Sequence, residues 1–284
     1  MNQKPTKAIT EAELRTYEED GVVCLRGLFD DEWCRRMCDA AIRYMESGVG
    51  RARVVDRPDE TGKFYSSVFM CGHDPDFLAF RNDSPAAEIG ATLMGAEQVR
   101  FWYDQLFIKE PTTVAPTHWH HDLPFWPFLG EHLVSIWVAL TPVTTASSGL
   151  QYIKGSHKWG KFYRPVTPDK DPAFDNPALE PCPDFFQRKD DPSLTFLDWD
   201  LRPGDCICHH PLAVHGAGPN RSQSQRRIGL SIRFFGDDAR YDPKPYTVKL
   251  PAEPSCGPGE YPADDDLFPV VWRRSDQQVA PPRQ

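Results

Sequence analysis

The segment Thr117-His118-Trp119-His120-His121-Asp122 gathers three imidazoles and a carboxylate within six residues. His120 and Asp122 stand two apart, so on a β-strand both side chains point to one face. A histidine from another strand, for which His215 is the candidate, would complete a set of two imidazoles and one carboxylate. Such a set holds Fe(II) on one face of an octahedron and leaves three positions open for oxygen chemistry. Taken alone the pattern is weak. With 9 histidines and 41 acidic residues in 284 positions, roughly one His-x-acid match arises by chance.

Three further features raise the odds. Gln105 and Lys109 share one face of the preceding strand, and His118, His120 and Asp122 share one face of theirs. Strict alternation therefore aims several polar groups at one interior, which is costly unless a metal, a ligand or each other satisfies them. Arg226 precedes the apolar positions Ile228, Leu230, Ile232 and Phe234. An inward-pointing arginine there needs an anion, and its planar fork suits a carboxylate. Finally, Pro203-Gly204-Asp205 and His215-Gly216-Ala217-Gly218 read as tight turns bracketing a short strand.

The elements that must position these groups change character along the chain. Thr10 and Glu13 form a capping box for a helix that Gly21 ends, and Asp30 or Asp31 caps a second helix reaching about Met45. Residues 84–94 read as a third. From about residue 99, short strands separated by turns are expected at 100–109, 117–122, 133–140, 150–153, 195–199, 205–209, 213–215 and 227–235. That pattern predicts a mainly β fold, a double-stranded β-helix (jelly roll, cupin-like) with N-terminal and flanking helices. We expect one domain over 1–284: helical support at 11–98, the jelly-roll core at 99–236, and a tail at 237–284. The Pro- and Asp-rich stretch 161–192 reads as an insertion able to fold over the mouth of the core.

Composition narrows the partners. A net charge of −9 argues against nucleic acid or an anionic membrane surface. No apolar run reaches transmembrane length, and the first ten residues are too polar for a secretory signal, so a cytoplasmic location is expected. The eight cysteines are scattered, with Cys206-x-Cys208 the only close pair, and read as reduced thiols instead of a disulfide framework. Oligomeric state is left open.

The order His120-x-Asp122, Gly155-Ser156-His157, Pro203-Gly204-Asp205, His215-Gly216-x-Gly218-x-Asn220, then Arg226 resembles the phytanoyl-CoA dioxygenase family. So does Glu18-Glu19-Asp20-Gly21-Val22-Val23 leading to Arg26-Gly27-Leu28-Phe29, which extends the resemblance over about residues 11–236. It implies an Fe(II)-dependent dioxygenase with 2-oxoglutarate and O2 as cosubstrates, succinate and CO2 as coproducts, and His120, Asp122 and His215 as catalytic iron ligands. It also implies that Arg226, eleven residues after His215, pairs with the distal carboxylate of 2-oxoglutarate, and that Trp137 lines the cosubstrate pocket. Gln105 is a candidate for the same pocket, and Lys109 faces either cosubstrate or substrate. One departure is Ala217, where some members have a serine that donates to the cosubstrate.

The neighbours carry plainer expectations. His118, Phe125 and Trp126 are candidates for a substrate wall, with an ordinary rim or core role as the competing reading. His121 and His157 read as structural, and His209 or His210 as an outer hydrogen-bond partner of the metal site. Hydroxylation of a small or medium-sized apolar or amphipathic metabolite is the expected activity, because related halogenases lack the carboxylate that Asp122 supplies. Desaturation or epoxidation, an acyl-CoA substrate and a non-catalytic 2-oxoglutarate-binding member remain alternatives. A zinc or manganese cupin-like isomerase would leave Arg226 unexplained. The basic group Arg51, Arg53 and Arg57 would matter for a phosphorylated substrate only if it stands at the pocket.

Overall fold

Thr10 closes the box expected of it. Its hydroxyl accepts from the Glu13 amide while the Glu13 carboxylate accepts from the Thr10 amide, opening α1 (Glu11–Asp20). Gly21 ends that helix at φ 76°, and a Cβ there would lie 2.2 Å from Nδ1 of His157. Only glycine suits both the backbone and the neighbour. Asp30 caps α2 (Asp31–Ser47). A helix absent from the sequence reading, α3 (Pro75–Asp83), begins with an Asp74 cap and a proline at its first position, ahead of α4 (Ala86–Met94). The computed structural model describes residues 1–56, 62–167 and 169–277.

Fourteen strands are described: β1 (Val22–Leu25), β2 (Arg51–Val55), β3 (Phe64–Val68), β4 (Gln98–Lys109), β5 (Thr117–His120), β6 (Phe128–Leu129), β7 (Leu133–Ala139), β8 (Leu150–Ile153), β9 (Phe196–Asp198), β10 (Cys206–His209), β11 (His215–Ala217), β12 (Arg227–Phe235), β13 (Arg240–Tyr241) and β14 (Val270–Arg273). They make a large sheet ordered β1-β10-β7-β12-β4-β3-β2, to which β14 adds beside β4. A smaller sheet is ordered β5-β11-β8-β9, and β13 pairs with β6. The large sheet is antiparallel throughout, as is the small one. This is the jelly-roll architecture, built as two facing sheets and not as a closed barrel.

Alternation on β12 decides what each face of the large sheet does. Ile228, Leu230, Ile232 and Phe234 join Leu106, Ile108, Val134, Ile136 and Val138 in the main core, together with Met37, Ala40, Ile89 and Leu93 of the helices. The intervening residues Arg227, Gly229, Ser231 and Arg233 face the other way, toward the small sheet. Trp137 and Ile207 meet Leu150, Tyr152 and Ala217 there in a second apolar cluster. Helices thus bury the outer face, and the inner face is left for chemistry.

Three parts depart from expectation. The hairpin β2–β3 was hidden because β2 reads Arg-Ala-Arg-Val-Val and sits at the sheet edge, where charged residues are tolerated. The tail, expected without strands, adds one to the large sheet: β14 pairs with β4, and Asp265 of the same segment pairs with the buried Arg100 at 2.6 Å. The strand expected at 213–215 and the turn expected at His215-Gly216-Ala217 give way to one strand, β11, which begins at His215 and runs to Ala217. The described residues of 161–192 carry two short 3-10 turns, Pro172–Phe174 and Phe185–Arg188, and an isolated bridge between Arg164 and Pro181. Arg53 ties this segment to β2 through Asp169 and Asp171, both at 2.7 Å. Among the described residues no helix is long and apolar enough to cross a membrane, and the eight cysteines are free thiols.

One buried carboxyl on the helix side has a measurable signature. Asp104 is 2 % exposed and accepts from the amide of Cys71 at 3.0 Å and its thiol at 2.8 Å. Burial raises its pKa to about 6 against those hydrogen bonds, which lower it. The folded state therefore holds the proton more tightly than the unfolded chain. Stability falls as pH climbs from the ordinary carboxylate range to about 6 and is level above, a change worth roughly 3 kcal/mol. Urea unfolding of Asp104→Asn should lack that contribution, so an unaltered pH slope would contradict it.

Candidate active site

Strand pairing brings the sequence-distant histidine to its partners. His215 on β11 is the register partner of His120 on β5, and their ring centroids lie 4.3 Å apart. One ligand atom from each of His120, Asp122 and His215 falls within 4.8 Å of the others. The tautomers are set by the backbone: His120 Nδ1 meets the carbonyl of His118 at 2.7 Å, and His215 Nδ1 meets that of Ala213 at 2.9 Å. Each Nδ1–H is thereby occupied, and each Nε2 lone pair is left for a metal. Burial, followed by the neighbouring imidazoles, holds His215 well below the usual histidine range. It is neutral and ready to ligate.

Asp122 is built to present one oxygen and anchor the other. Its Oδ1 lies 3.6 Å from His120 Nε2. Its Oδ2 receives Nε2 of His209 at 3.3 Å and Nε of Arg233 at 3.4 Å. His209 in turn meets the Tyr152 hydroxyl through Nδ1 at 3.1 Å, and Tyr152 stacks on His215 at 5.2 Å. Burial works to raise the Asp122 carboxyl, but Arg233, His120 and His209 outweigh it and keep it ionised, well below the usual range. These outer partners predict that His209→Phe binds Fe(II) or Co(II) roughly 10–100-fold more weakly. A metal titration that matches wild type would remove His209 from that role.

The far end of the cavity corrects the arginine assignment. Arg226 does not point inward: it pairs with Glu110 at 2.9 Å, with 37 % of its side chain exposed. Arg227 is the inward residue, 1 % exposed, with its guanidinium 5.5 Å over Trp137 and Nη2 3.4 Å from the Ser148 hydroxyl. The cause is parity. Arg226 falls in the series of Ile228 and Leu230, which face the helices, whereas Arg227 falls in the series of Gly229, Ser231 and Arg233. Asn220 fixes the loop before the strand, donating toward the carbonyls of Lys109, Glu110 and Gln225 at 2.9–3.1 Å. Gly229 makes room for Trp137, since a Cβ there would lie 1.9 Å from the indole.

The remaining candidates divide. Gln105 and Trp137 line the cavity, and Gln105 donates to the Ser66 hydroxyl at 3.1 Å. Lys109 is fully buried beside Arg227, its register partner. His118 and Phe125 line the cavity, whereas Trp126 does not: it is wholly buried in the aromatic cluster with Tyr103 and Phe128. His121 accepts from the Tyr163 amide at 2.7 Å, and His157 holds the carbonyl of Glu18 at 3.2 Å, both structural contacts.

Toward the mouth the cavity, about 420 Å³, is walled by Val68, Phe125, Phe174 and Val248, with Arg51 and Lys249 at the rim. Arg57 lies outside the described residues. Sequence reading missed Arg227, Arg233 and Phe174. The first two were visible as the polar positions in Arg-Ile-Gly-Leu-Ser-Ile-Arg-Phe; Phe174 sits in a segment with no periodicity to read.

A jelly roll that turns two imidazoles, a carboxylate and a buried arginine into one cavity defines the class of 2-oxoglutarate-dependent non-haem iron oxygenases. The chain belongs to the phytanoyl-CoA dioxygenase family, whose model matches residues 17–228. It is 23% identical over 255 residues to the multifunctional dioxygenase prhA of Penicillium brasilianum, spanning 84% of this chain and 77% of that one. With the peroxisomal phytanoyl-CoA dioxygenase of Rattus norvegicus it shares 29% identity over 126 residues, 43% of this chain and 34% of that one. Its fold is similar to that of the epimerase SnoN from nogalamycin biosynthesis, solved with Fe3+, alpha ketoglutarate and nogalamycin RO. That match has a TM-score of 0.72 and 23% identity, and covers 92% of this chain and 98% of that one. EctD from S. alaskensis, solved with 2-oxoglutarate and 5-hydroxyectoine, matches at a TM-score of 0.67 and 17% identity, over 89% of this chain and 85% of that one.

Proposed function

We propose that the chain hydroxylates an unactivated C–H bond of a small or medium-sized amphipathic metabolite, with His120, Asp122 and His215 holding Fe(II) and Arg227 anchoring 2-oxoglutarate. The observation that carries this reading is the convergence on one cavity of those donors and an arginine with no acidic partner among the described residues. Bound iron and 2-oxoglutarate supply the activation of O2 and the oxidising power. The chain's own residues bind, orient and exclude water. His209 and Arg233 hold Oδ2 of Asp122 so that Oδ1 faces the metal position. Trp137 supports the Arg227 guanidinium from beneath. Asp122 also keeps a carboxylate where a halogenase would leave space for chloride, which favours oxygen transfer as the outcome.

The substrate side supports an amphipathic molecule. Val68, Phe125, Phe174 and Val248 offer an apolar slot. At the rim, Arg51 donates to the carbonyl of Lys249 at 2.7 Å and rests on Phe69, with no carboxylate partner among the described residues. In a chain of net charge −9, cations kept at a pocket mouth favour a substrate with an anionic or strongly accepting end. Anaerobic addition of Fe(II) and 2-oxoglutarate should produce a weak visible charge-transfer band. Succinate release over a panel of amphipathic carboxylates, their neutral esters and acyl-CoA thioesters should then rank the acids first. Absence of the band in folded protein sinks the oxygenase reading, and preference for the neutral esters sinks the substrate reading. Product analysis of the best substrate separates hydroxylation from desaturation or epoxidation.

A further inference from the structure

Lys109 is a buried amine with no counter-ion among the described residues. It is 0 % exposed, its Nζ donates to the Gly218 carbonyl at 3.1 Å, and it lies 4.7 Å over the Phe64 ring. Its register partner across the sheet is Arg227, and the two side chains share the inner face. Arg227 is equally short of partners: Nε has none and Nη2 has only the Ser148 hydroxyl. Among the described residues neither cation has an acidic partner. The elements packed around Lys109 supply Phe64 from β3, Arg227 from β12, the Gly218 carbonyl from the loop after β11 and, more distantly, His118 from β5. Glu110 is the adjacent acid, but it turns to the reverse face and pairs with Arg226.

Two buried cations side by side are costly unless an anion joins them or one gives up its proton. We propose that Lys109 is a second anchor for the distal carboxylate of 2-oxoglutarate and takes up one proton as that carboxylate binds beside Arg227. The inference rests on the cosubstrate reading above and assigns it a residue and a proton. With no anion present, burial and then Arg227 push the Lys109 amine well below its usual range, so it stays neutral and donates to Gly218. A carboxylate on Arg227 offsets that repulsion and brings a negative charge within reach of a four-carbon side chain. Lys109 then turns Nζ from the carbonyl to the carboxylate and becomes an ammonium. A 2-oxo acid without the distal carboxylate would leave it neutral.

The test is calorimetry of 2-oxoglutarate binding to the anaerobic Fe(II)-loaded protein between roughly pH 7 and 9, in phosphate and in Tris, whose ionisation enthalpies differ. The wild type should take up close to one proton per cosubstrate bound at some pH in that window. Lys109→Arg should bind with no such uptake because its charge is permanent. Lys109→Met should bind roughly 10–100-fold more weakly, also without uptake. Pyruvate, which has no distal carboxylate, should bind wild type and Lys109→Met alike, with no proton uptake in either. Binding of 2-oxoglutarate by wild type with no uptake across the window overturns the inference and leaves the oxygenase reading standing. So does equal uptake by Lys109→Arg. If 2-oxoglutarate does not bind the wild type at all, both readings fall. Should Lys109→Met fail to fold, the wild-type and arginine measurements decide the matter alone.

Discussion

Replacing Arg227 by methionine should weaken 2-oxoglutarate binding on the order of 100-fold or more, while the same change at Arg226 leaves it nearly unchanged. Truncating one member of a buried charge pair typically costs about 2–5 kcal/mol, because the other charge stays buried without compensation. Arg227 is 1 % exposed in the wall of the cavity, so the cosubstrate carboxylate would meet that full penalty. Arg226 sits in a half-exposed pair with Glu110, where loss of an ion pair costs about 1 kcal/mol or less. Titration of the charge-transfer band with 2-oxoglutarate reads both variants directly. If Arg226→Met proves the weak binder, the face assignment of β12 is wrong.

Asp122→Ala should abolish both the anaerobic band and succinate release. It removes one of three donors and also strands His209 and Arg233, which lose their shared acceptor. The loss must therefore exceed the roughly 100-fold that follows removal of an outer partner alone. An unpartnered Arg233 in the cavity carries a second cost, since a buried guanidinium without its carboxylate destabilises the fold. Metal affinity should be followed together with thermal stability. A variant that keeps tight Fe(II) binding and the band would remove Asp122 from the site.

How much of this was legible depends on which physical rule each residue obeys. His120 and Asp122 were readable because a period of two is all that is needed to place them on one face, and His215 because it leads the His-Gly-x-Gly-x-Asn order, although the glycines that read as a turn lie on a strand. Most core strands announced themselves: 227–235 was bounded correctly because its apolar residues alternate over nine positions. The same alternation contained the correction. Choosing Arg226 followed a spacing from His215, but spacing passes through a loop that can absorb one residue, whereas the two faces of a strand cannot be exchanged without moving every side chain. The edge hairpin and 161–192 were illegible for the opposite reason. One has charges where strands usually carry apolar residues, and the other has turns held by side chain–backbone bonds such as Asp171 to Ala173 and Asp184 to Phe186.

The wall at Phe174 has an evolutionary consequence. The residues proposed to hold iron and cosubstrate all belong to the paired sheets or the turns that end their strands. The wall's aromatic and its acidic tether to Arg53 belong instead to a segment whose described residues form no named strand. Such a segment behaves as an exchangeable cassette: insertions and swaps there alter which molecules are admitted without reopening the ladders beneath. A chimaera that imports a relative's segment while retaining Asp171 opposite Arg53 would acquire a new clientele on an unchanged engine.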